Sequence, residues 1–362
     1  MTTIHSVIEA TPVPASRARM SVVVCTLNGA GRLENCLAAI NRQTCRQHLQ
    51  VVVVDDGSSD ESAATAAEHG AEVIRHSSNR GLGAARNSGI AASRAEIVAF
   101  LDDDCEPEPG WAEAILGAFD SSHRAAATLD SNKVIGVGGP VHPAVGSGYA
   151  AGYLVRNNPL VPLEIDLAAR NGIAYRFGRY LMRVFNDTPT GARAVYSVVG
   201  ANMAFRTEVI RAVGGFDERF SFGSEELELC LRLKDVYPES VIRFEPSAAV
   251  SHHFDARPSA LLRRHRAYGI GVARLYRKRG DLAPTVYPLP IIITLLLVLS
   301  RKNPLLLIVI VALPQLLFGR GLREALRRNS LTPLADCYVR LLEEASSNIG
   351  FAIGGWRYRG VF

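Results

Sequence analysis

Glu96-Ile97-Val98-Ala99-Phe100-Leu101-Asp102-Asp103-Asp104 decides the fold. Residues 97–101 are apolar without alternation, so a strand here is covered on both faces, and it stops on three carboxylates. Three similar runs precede it: Ser21 to Cys25, Gln50 to Val54 and Ala71 to Ile74. Helical stretches fall between them, around Arg32 to Arg42, Ser59 to His69 and Leu82 to Ala92. Right-handed crossovers align the strand ends along one edge, and open α/β sheets take their ligands outside that edge. Polar residues collect there: Thr26 and Asn28, Asp55 and Asp56, Asn79-Arg80, then Asp102 to Asp104. The expected architecture is α/β, Rossmann-like, with a mainly parallel sheet flanked by helices.

Further along, Val134 to Pro140 reads as another strand and turn. Residues from Val141 to Tyr196 are weakly patterned, and a segment of that length is more often functional than core. Glu225 to Lys234 reads as a short helix with Leu227, Cys230 and Leu231 on its apolar side. In it, Glu228 and Arg232 are spaced for an intrahelical ion pair.

The composition excludes several classes. The chain has 362 residues, six scattered cysteines and a formal net charge of +5. No Cys-x-x-Cys pair or zinc-finger spacing is present, so the thiols read as reduced, half-buried residues. Aromatic platforms and binding motifs for nucleic acid are missing as well. Residues 1–19 read as a tail of little structure, without the apolar stretch of a secretory signal.

Hydrophobic residues make up 48%, and the excess is local. Two apolar runs, about Val286 to Ser300 and Leu305 to Phe318, flank Arg301-Lys302-Asn303-Pro304. Each is shorter than the roughly 20 residues that span a bilayer. Basic residues lie before, between and after them, at Arg277-Lys278-Arg279, Arg301-Lys302 and Arg320 to Arg328. Full crossing would put Arg301-Lys302 on the wrong side for the positive-inside tendency, so a re-entrant or in-plane hairpin on a membrane surface is expected. The domain reading is 20–256 for the α/β domain and 257–362 for a basic, apolar, membrane-associated helical region.

An acidic triplet alone is an ordinary solvated turn. At a ligand edge, carboxylates at alternate positions share one hard cation, which bridges diphosphate oxygens; Mg2+ and Mn2+ both suit that role. Asp55 ends the second strand and is placed to accept a hydrogen bond from a base N–H. Ser58, Ser59 and Asp60 read as turn and helix cap. Arg80 and Arg86 could clamp a diphosphate or pair with the acidic cluster. A dinucleotide fingerprint is excluded: Arg86 stands where the third glycine belongs, and the motif follows the third strand instead of the first.

In order and spacing these segments resemble the inverting glycosyltransferases of family 2, on the GT-A fold, of the bacterial membrane-associated type. The resemblance covers residues 20–255. It rests on Val24 to Asn28, Val53 to Asp60, Asn79 to Asn87, Phe100 to Asp104, Val199 to Arg206 and Val213 to Asp217. It implies that Thr26 and Asp55 contact the nucleobase, that Asn28, Arg80, Arg86, Asp102 and Asp103 serve the donor, and that Asp102 and Asp104 form the Asp-x-Asp pair with Asp104 the direct metal ligand. His252 would complete the metal shell. The base would be Glu226 or Glu225, since Glu226 stands where the family mostly has Asp. Trp111 and Asn202 would lie toward the acceptor, the alternative for Trp111 being a core aromatic. The implied reaction moves sugar from a nucleotide-sugar donor, a UDP-sugar by expectation, to a saccharide or lipid-linked acceptor of surface polysaccharide or glycoconjugate, at the cytoplasmic membrane face. Two rivals are a non-catalytic protein keeping the fold and a nucleotidyltransferase, which lacks its Gly-rich, Lys-bearing loop here.

Overall fold

The computed structural model describes residues 7–8, 18–124, 134–144, 146–165, 172–182, 189–220, 223–280 and 286–360. They fall into two compact units. The first comprises Met1–Ala144, Asn158–Ala168 and Thr190–Phe254. The second comprises Val145–Asn157, Ala169–Pro189 and Asp255–Phe362, so it takes two pieces from inside the segment expected to be one domain.

The first unit is built on the expected parallel strands: β2 (Met20–Thr26), β3 (Leu49–Asp55), β4 (Glu72–Arg75) and β5 (Ile97–Asp102). β2 pairs in parallel with both β3 and β5, and β3 with β4. The register puts Thr26 beside Asp55 and Cys25 beside Asp102, so the strand-end polar residues do share one edge. Helices α1 (Ala30–Asn41), α2 (Ser62–Glu68), α3 (Leu82–Ala92) and α4 (Trp111–Arg124) cover the sheet. Strand alternation sorts the core into two layers. Val22, Val24, Val53, Ala99 and Leu101 pack with Leu33, Leu37 and Ile115. Val23, Val52, Val54, Val98 and Phe100 pack with Ile90, Ile210 and Leu229.

Beyond β5 the sheet is mixed. β7 (Val134–Gly138), β9 (Arg193–Val195), β10 (Asn202–Arg206) and β11 (Val241–Phe244) extend it to the order β1-β4-β3-β2-β5-β10-β7-β11-β9 among the described residues, where β1 is Val7–Ile8. β10 runs antiparallel between β5 and β7. β1 pairs antiparallel with β4, inside the stretch expected to be unstructured; most of that tail lies outside the described residues. A small second sheet joins β6 (Cys105–Pro107), β12 (Val250–His253) and β8 (Val141–Ala144). The three aspartates therefore sit where the chain leaves one sheet for the other.

The weakly patterned region contains β8, β9 and the helices Tyr149–Arg156 and Ile173–Met182. Both of these helices lie in the second unit. There the helices Pro258–Arg279 and Asp336–Arg357 pack closely: a Cβ on Gly269 would stand 2.1 Å from the Ser347 carbonyl oxygen, and one on Gly350 2.1 Å from that of Arg266. Buried carboxylates of the second helix are held from a distance in sequence. Tyr153 donates to Glu343 at 2.6 Å, and Arg156 and Tyr149 donate to Asp336 at 2.7 and 3.0 Å. The apolar runs form helices Pro288–Leu299 and Leu306–Leu317 packed on each other. Most of their apolar side chains stay exposed, among them Leu295, Val298, Ile308 and Leu316. No single described helix is long and apolar enough to cross a membrane.

Candidate active site

The site residues come from strand ends, from the loops that follow them and from two helices, Leu82–Ala92 and Glu225–Val236. The first loop after β2 is clasped to the loop after β3. Asn28, in the left-handed region at φ 51°, accepts hydrogen bonds from the Ser59 N–H at 2.9 Å and its hydroxyl at 3.1 Å. Ser58 accepts from the Asn28 N–H, and Asp60 from the N–H groups of Ala30 and Ser62. The helix therefore begins at Ser62 with Asp60 serving its first turn, while Ser58 and Ser59 bind across the edge instead of capping.

Asp55 and Asp56 divide their work. Asp56 takes His76 Nδ1 at 2.6 Å and the N–H groups of Arg80 and Gly81 at 2.9 and 2.8 Å, which folds the Asn79-Arg80-Gly81 loop onto the strand end. Asp55 is fully buried. Its Oδ1 accepts from the Ser58 N–H at 2.7 Å, and its Oδ2, 3.2 Å from Arg75 Nε, has no hydrogen bond. The Arg75 charge offsets the burial of this oxygen, which still lacks a hydrogen-bond donor. Arg80 is partly exposed and lies 3.6 Å from Glu218.

The three aspartates face three ways. Asp103 turns inward to the Thr26 hydroxyl at 2.7 Å and to the Arg32 guanidinium at 3.1 Å. A Cβ on Gly29 would fall 2.0 Å from its carboxylate, so only glycine fits there. Thr26 and Asp103 thus satisfy each other beneath the edge, and Arg32, which the sequence did not single out, completes the lock. Burial still pushes Asp103 above the ordinary carboxylate range. Asp102 is about one third exposed, with Arg86 as its partner. Asp104 lies 3.3 Å from His252 Nε2. Burial first, then the charges of Asp102 and Asp103, push its carboxyl up to about 7. Carboxylates crowded this way are what a divalent cation relieves, and the oxygen-plus-imidazole set fits one. The Cys105 thiol joins Asp104 and His252 in a group whose ligand atoms all lie within 4.8 Å of one another.

Opposite the aspartates, the helix Glu225–Val236 begins after Gly223 and Ser224, both at positive φ. Arg86 on α3 is buried and reaches both sides. It donates to Glu225 Oε1 at 2.9 Å, to Asp102 Oδ1 at 3.3 Å and to the Gly200 carbonyl at 3.1 Å. Its guanidinium also lies 5.3 Å from the Phe216 ring centre. Of the two uses open to Arg86, the structure shows the carboxylate pairing. Glu226 is half-buried, and burial followed by the charge of Glu225 pushes its carboxyl up to about 8. Glu228 and Arg232 form the expected pair at 2.7 Å, and Arg232 also holds the carbonyls of Val213 and Gly215.

Trp111 takes the core place kept open as its alternative, and Asn202 lies against it. Both are fully buried, with Trp111 Nε1 donating to Asn202 Oδ1 at 2.9 Å. Asn202 in turn donates to the carbonyls of Pro140 and Ala248. In this structure both side chains pack the core.

Comparison with known proteins gives a family. The model described as Glycosyl transferase family 2 matches residues 21–183, and Glycosyl transferase family group 2 matches residues 160–320. Pre-mycofactocin glycosyltransferase of Mycobacterium tuberculosis is 29% identical over 274 residues, 75% of this chain and 50% of that protein. The chain thus spans about half the length of this relative. Glucosyl-dolichyl phosphate glucuronosyltransferase of Haloferax volcanii is 26% identical over 65% of this chain and 69% of its own. A mannosyltransferase from Pyrobaculum calidifontis, solved with GDP-Man and Mn2+, shares the fold at a TM-score of 0.52 and 18% identity, over 96% of this chain and 90% of that one. On these matches, the two family models reaching together from residue 21 to residue 320, the chain belongs to glycosyltransferase family 2.

Proposed function

We propose that this chain is an inverting glycosyltransferase that moves a sugar from a nucleoside-diphosphate donor, UDP-linked by preference, onto a hydroxyl of a saccharide or lipid-linked acceptor in surface polysaccharide or glycoconjugate synthesis. The observation that carries it is the Arg86 bridge. One buried guanidinium binds Asp102 on the donor edge and Glu225 at the base helix, which brings both halves of a displacement into one site. The Haloferax relative's name, with its dolichyl phosphate, favours the lipid-linked acceptor.

Glu225 is committed to Arg86, whereas Glu226 is held at about 8 and keeps the proton affinity a base needs. Glu226 takes the acceptor hydroxyl proton as that oxygen attacks the anomeric carbon from the face opposite the departing diphosphate. Asp55 Oδ2 receives a base N–H, and the loop fixed by Asp56 presents Arg80 toward the phosphates. Asp104 and His252, with Asp102 beside them, would hold Mn2+ or Mg2+. When bound, the ion supplies positive charge against the leaving diphosphate.

The exposed apolar helices and the arginines around them support a place at the cytoplasmic face of a membrane. The test of function is nucleoside-diphosphate release by the full chain from a panel of nucleotide sugars, with and without Mn2+. Turnover with one donor, lost in both Asp104→Asn and Glu226→Gln, is expected. No turnover with any donor, together with unchanged nucleotide affinity in Asp104→Asn, would sink the proposal.

A further inference from the structure

Donor chemistry with a hard cation has no use for sulfur, yet a thiol stands at the cation site. Cys105 follows Asp104 in the chain and opens β6, and the antiparallel register sets it directly across from His252 on β12. Cross-strand partners share a face of their sheet. The Asp104 carboxylate, the Cys105 sulfur and a His252 ring nitrogen all lie within 4.8 Å of one another. Asp104 Oδ1 and His252 Nε2 are 3.3 Å apart, as two corners of a tetrahedron would be around an ion with bonds of ~2.0 Å. The Phe254 ring lies 4.3 Å from that of His252, centre to centre, and steadies the imidazole. The thiol's own contact is slight: it is buried, and it donates to the Ala201 carbonyl at 3.5 Å.

We propose that Asp104, Cys105 and His252 form a three-ligand site for thiophilic divalent ions such as Zn2+, Co2+ and Cd2+. The proposal rests on the reading of Asp104 and His252 as cation ligands. Mg2+ and Mn2+ prefer oxygen and leave the thiol protonated, whereas a softer ion gains a bond to sulfur. In that step the S–H bond breaks, its proton goes to solvent and the sulfur–metal bond forms, with no change of oxidation state. The same place then offers two donor sets. One is oxygen and nitrogen only, and suits a diphosphate as co-ligand. The other includes sulfur and ties the ion to β6 and β12, so Zn2+ is expected to compete with Mn2+.

The test is a Co2+ titration of the full chain without nucleotide, followed by ultraviolet–visible absorption. The expected result is a thiolate-to-cobalt charge-transfer band, absent in Cys105→Ser while the weaker ligand-field bands remain. Zn2+ affinity should fall by more than ~10-fold in that variant, with Mn2+ affinity nearly unchanged. Bound Co2+ without the charge-transfer band, or equal Zn2+ affinity in Cys105→Ser, overturns the sulfur ligand but leaves the donor site standing. Failure of both Co2+ and Mn2+ to bind overturns the whole cation site. If Cys105→Ser does not fold, cadmium NMR of the wild-type chain decides, since a sulfur ligand moves the resonance far downfield of an oxygen–nitrogen set.

Discussion

At Glu226 two requirements pull against each other. Its surroundings disfavour charge, through burial and through Glu225, and lift the carboxyl from its ordinary 4.5 to about 8. That proton affinity suits the base role proposed for Glu226 and also destabilises the fold once the group ionises. The folded chain keeps the proton between pH 4.5 and about 8, where the unfolded chain has released it, so this contribution to stability is lost as pH rises through about 8. Glu226→Gln should therefore lower kcat/KM by about 10²–10⁴-fold. Its melting temperature should exceed the wild type's by more at pH 9 than at pH 5. In the wild-type enzyme, kcat/KM should climb with pH and level off near 8; a profile flat from 6 to 9 would assign the base elsewhere. At Asp55 the Oδ2, ion-paired with Arg75 but accepting no hydrogen bond, gives a second prediction. Asp55→Asn should weaken nucleotide binding by about 10–100-fold, the scale of one charged hydrogen bond, with kcat affected less. Isothermal titration with the free nucleoside diphosphate reads it directly.

Among elements, the loop from Asn79 to Gly81 depends on one carboxylate. Asp56→Ala would remove the acceptor for His76 and for two backbone N–H groups. The expected loss is about 2–4 kcal/mol in urea unfolding, with hydrogen exchange rising first at residues 79–81. In the second unit, Gly350→Leu would drive a side chain into the Arg266 carbonyl and part the two long helices. Exchange should then rise across Pro258–Arg279 and Asp336–Arg357, with the β2–β5 sheet still protected. What was legible at this scale follows from burial. β2, β3 and β5 are apolar on both faces, so composition alone marks them and their polar ends mark the edge. β10 carries no strand pattern of its own, because Asn202-Met203-Ala204-Phe205-Arg206 becomes a strand through pairing with β5 and β7. The sealing of Trp111 by Asn202, 91 residues away, left no local sign either. Asp102, Asp104 and Glu226 are assigned by the family resemblance alone; the Arg86 bridge and the Cys105 thiol beside Asp104 and His252 needed the fold.

For the molecule as a whole, the apolar hairpin is the proposed membrane contact. Each arm is twelve residues, or ~18 Å, too short to cross a hydrocarbon core of ~30 Å, and Arg301 and Lys302 stand between the arms. The full chain should co-sediment with anionic vesicles. The double substitution Leu295→Asp and Ile308→Asp should abolish this, since each buried charge costs ~2.5–3.5 kcal/mol at full depth. Undiminished co-sedimentation of that variant would rule the hairpin out as the anchor. The threading of the second unit bears on synthesis as well. Tyr149, Tyr153 and Arg156 find their partners 180 to 190 residues later, at Asp336 and Glu343. On the ribosome these side chains wait, through most of the remaining translation, for carboxylates not yet made. The middle of the chain is thus among the last parts to settle, and a chain cut after Phe254 would leave Tyr149–Arg156 without the partners that hold it.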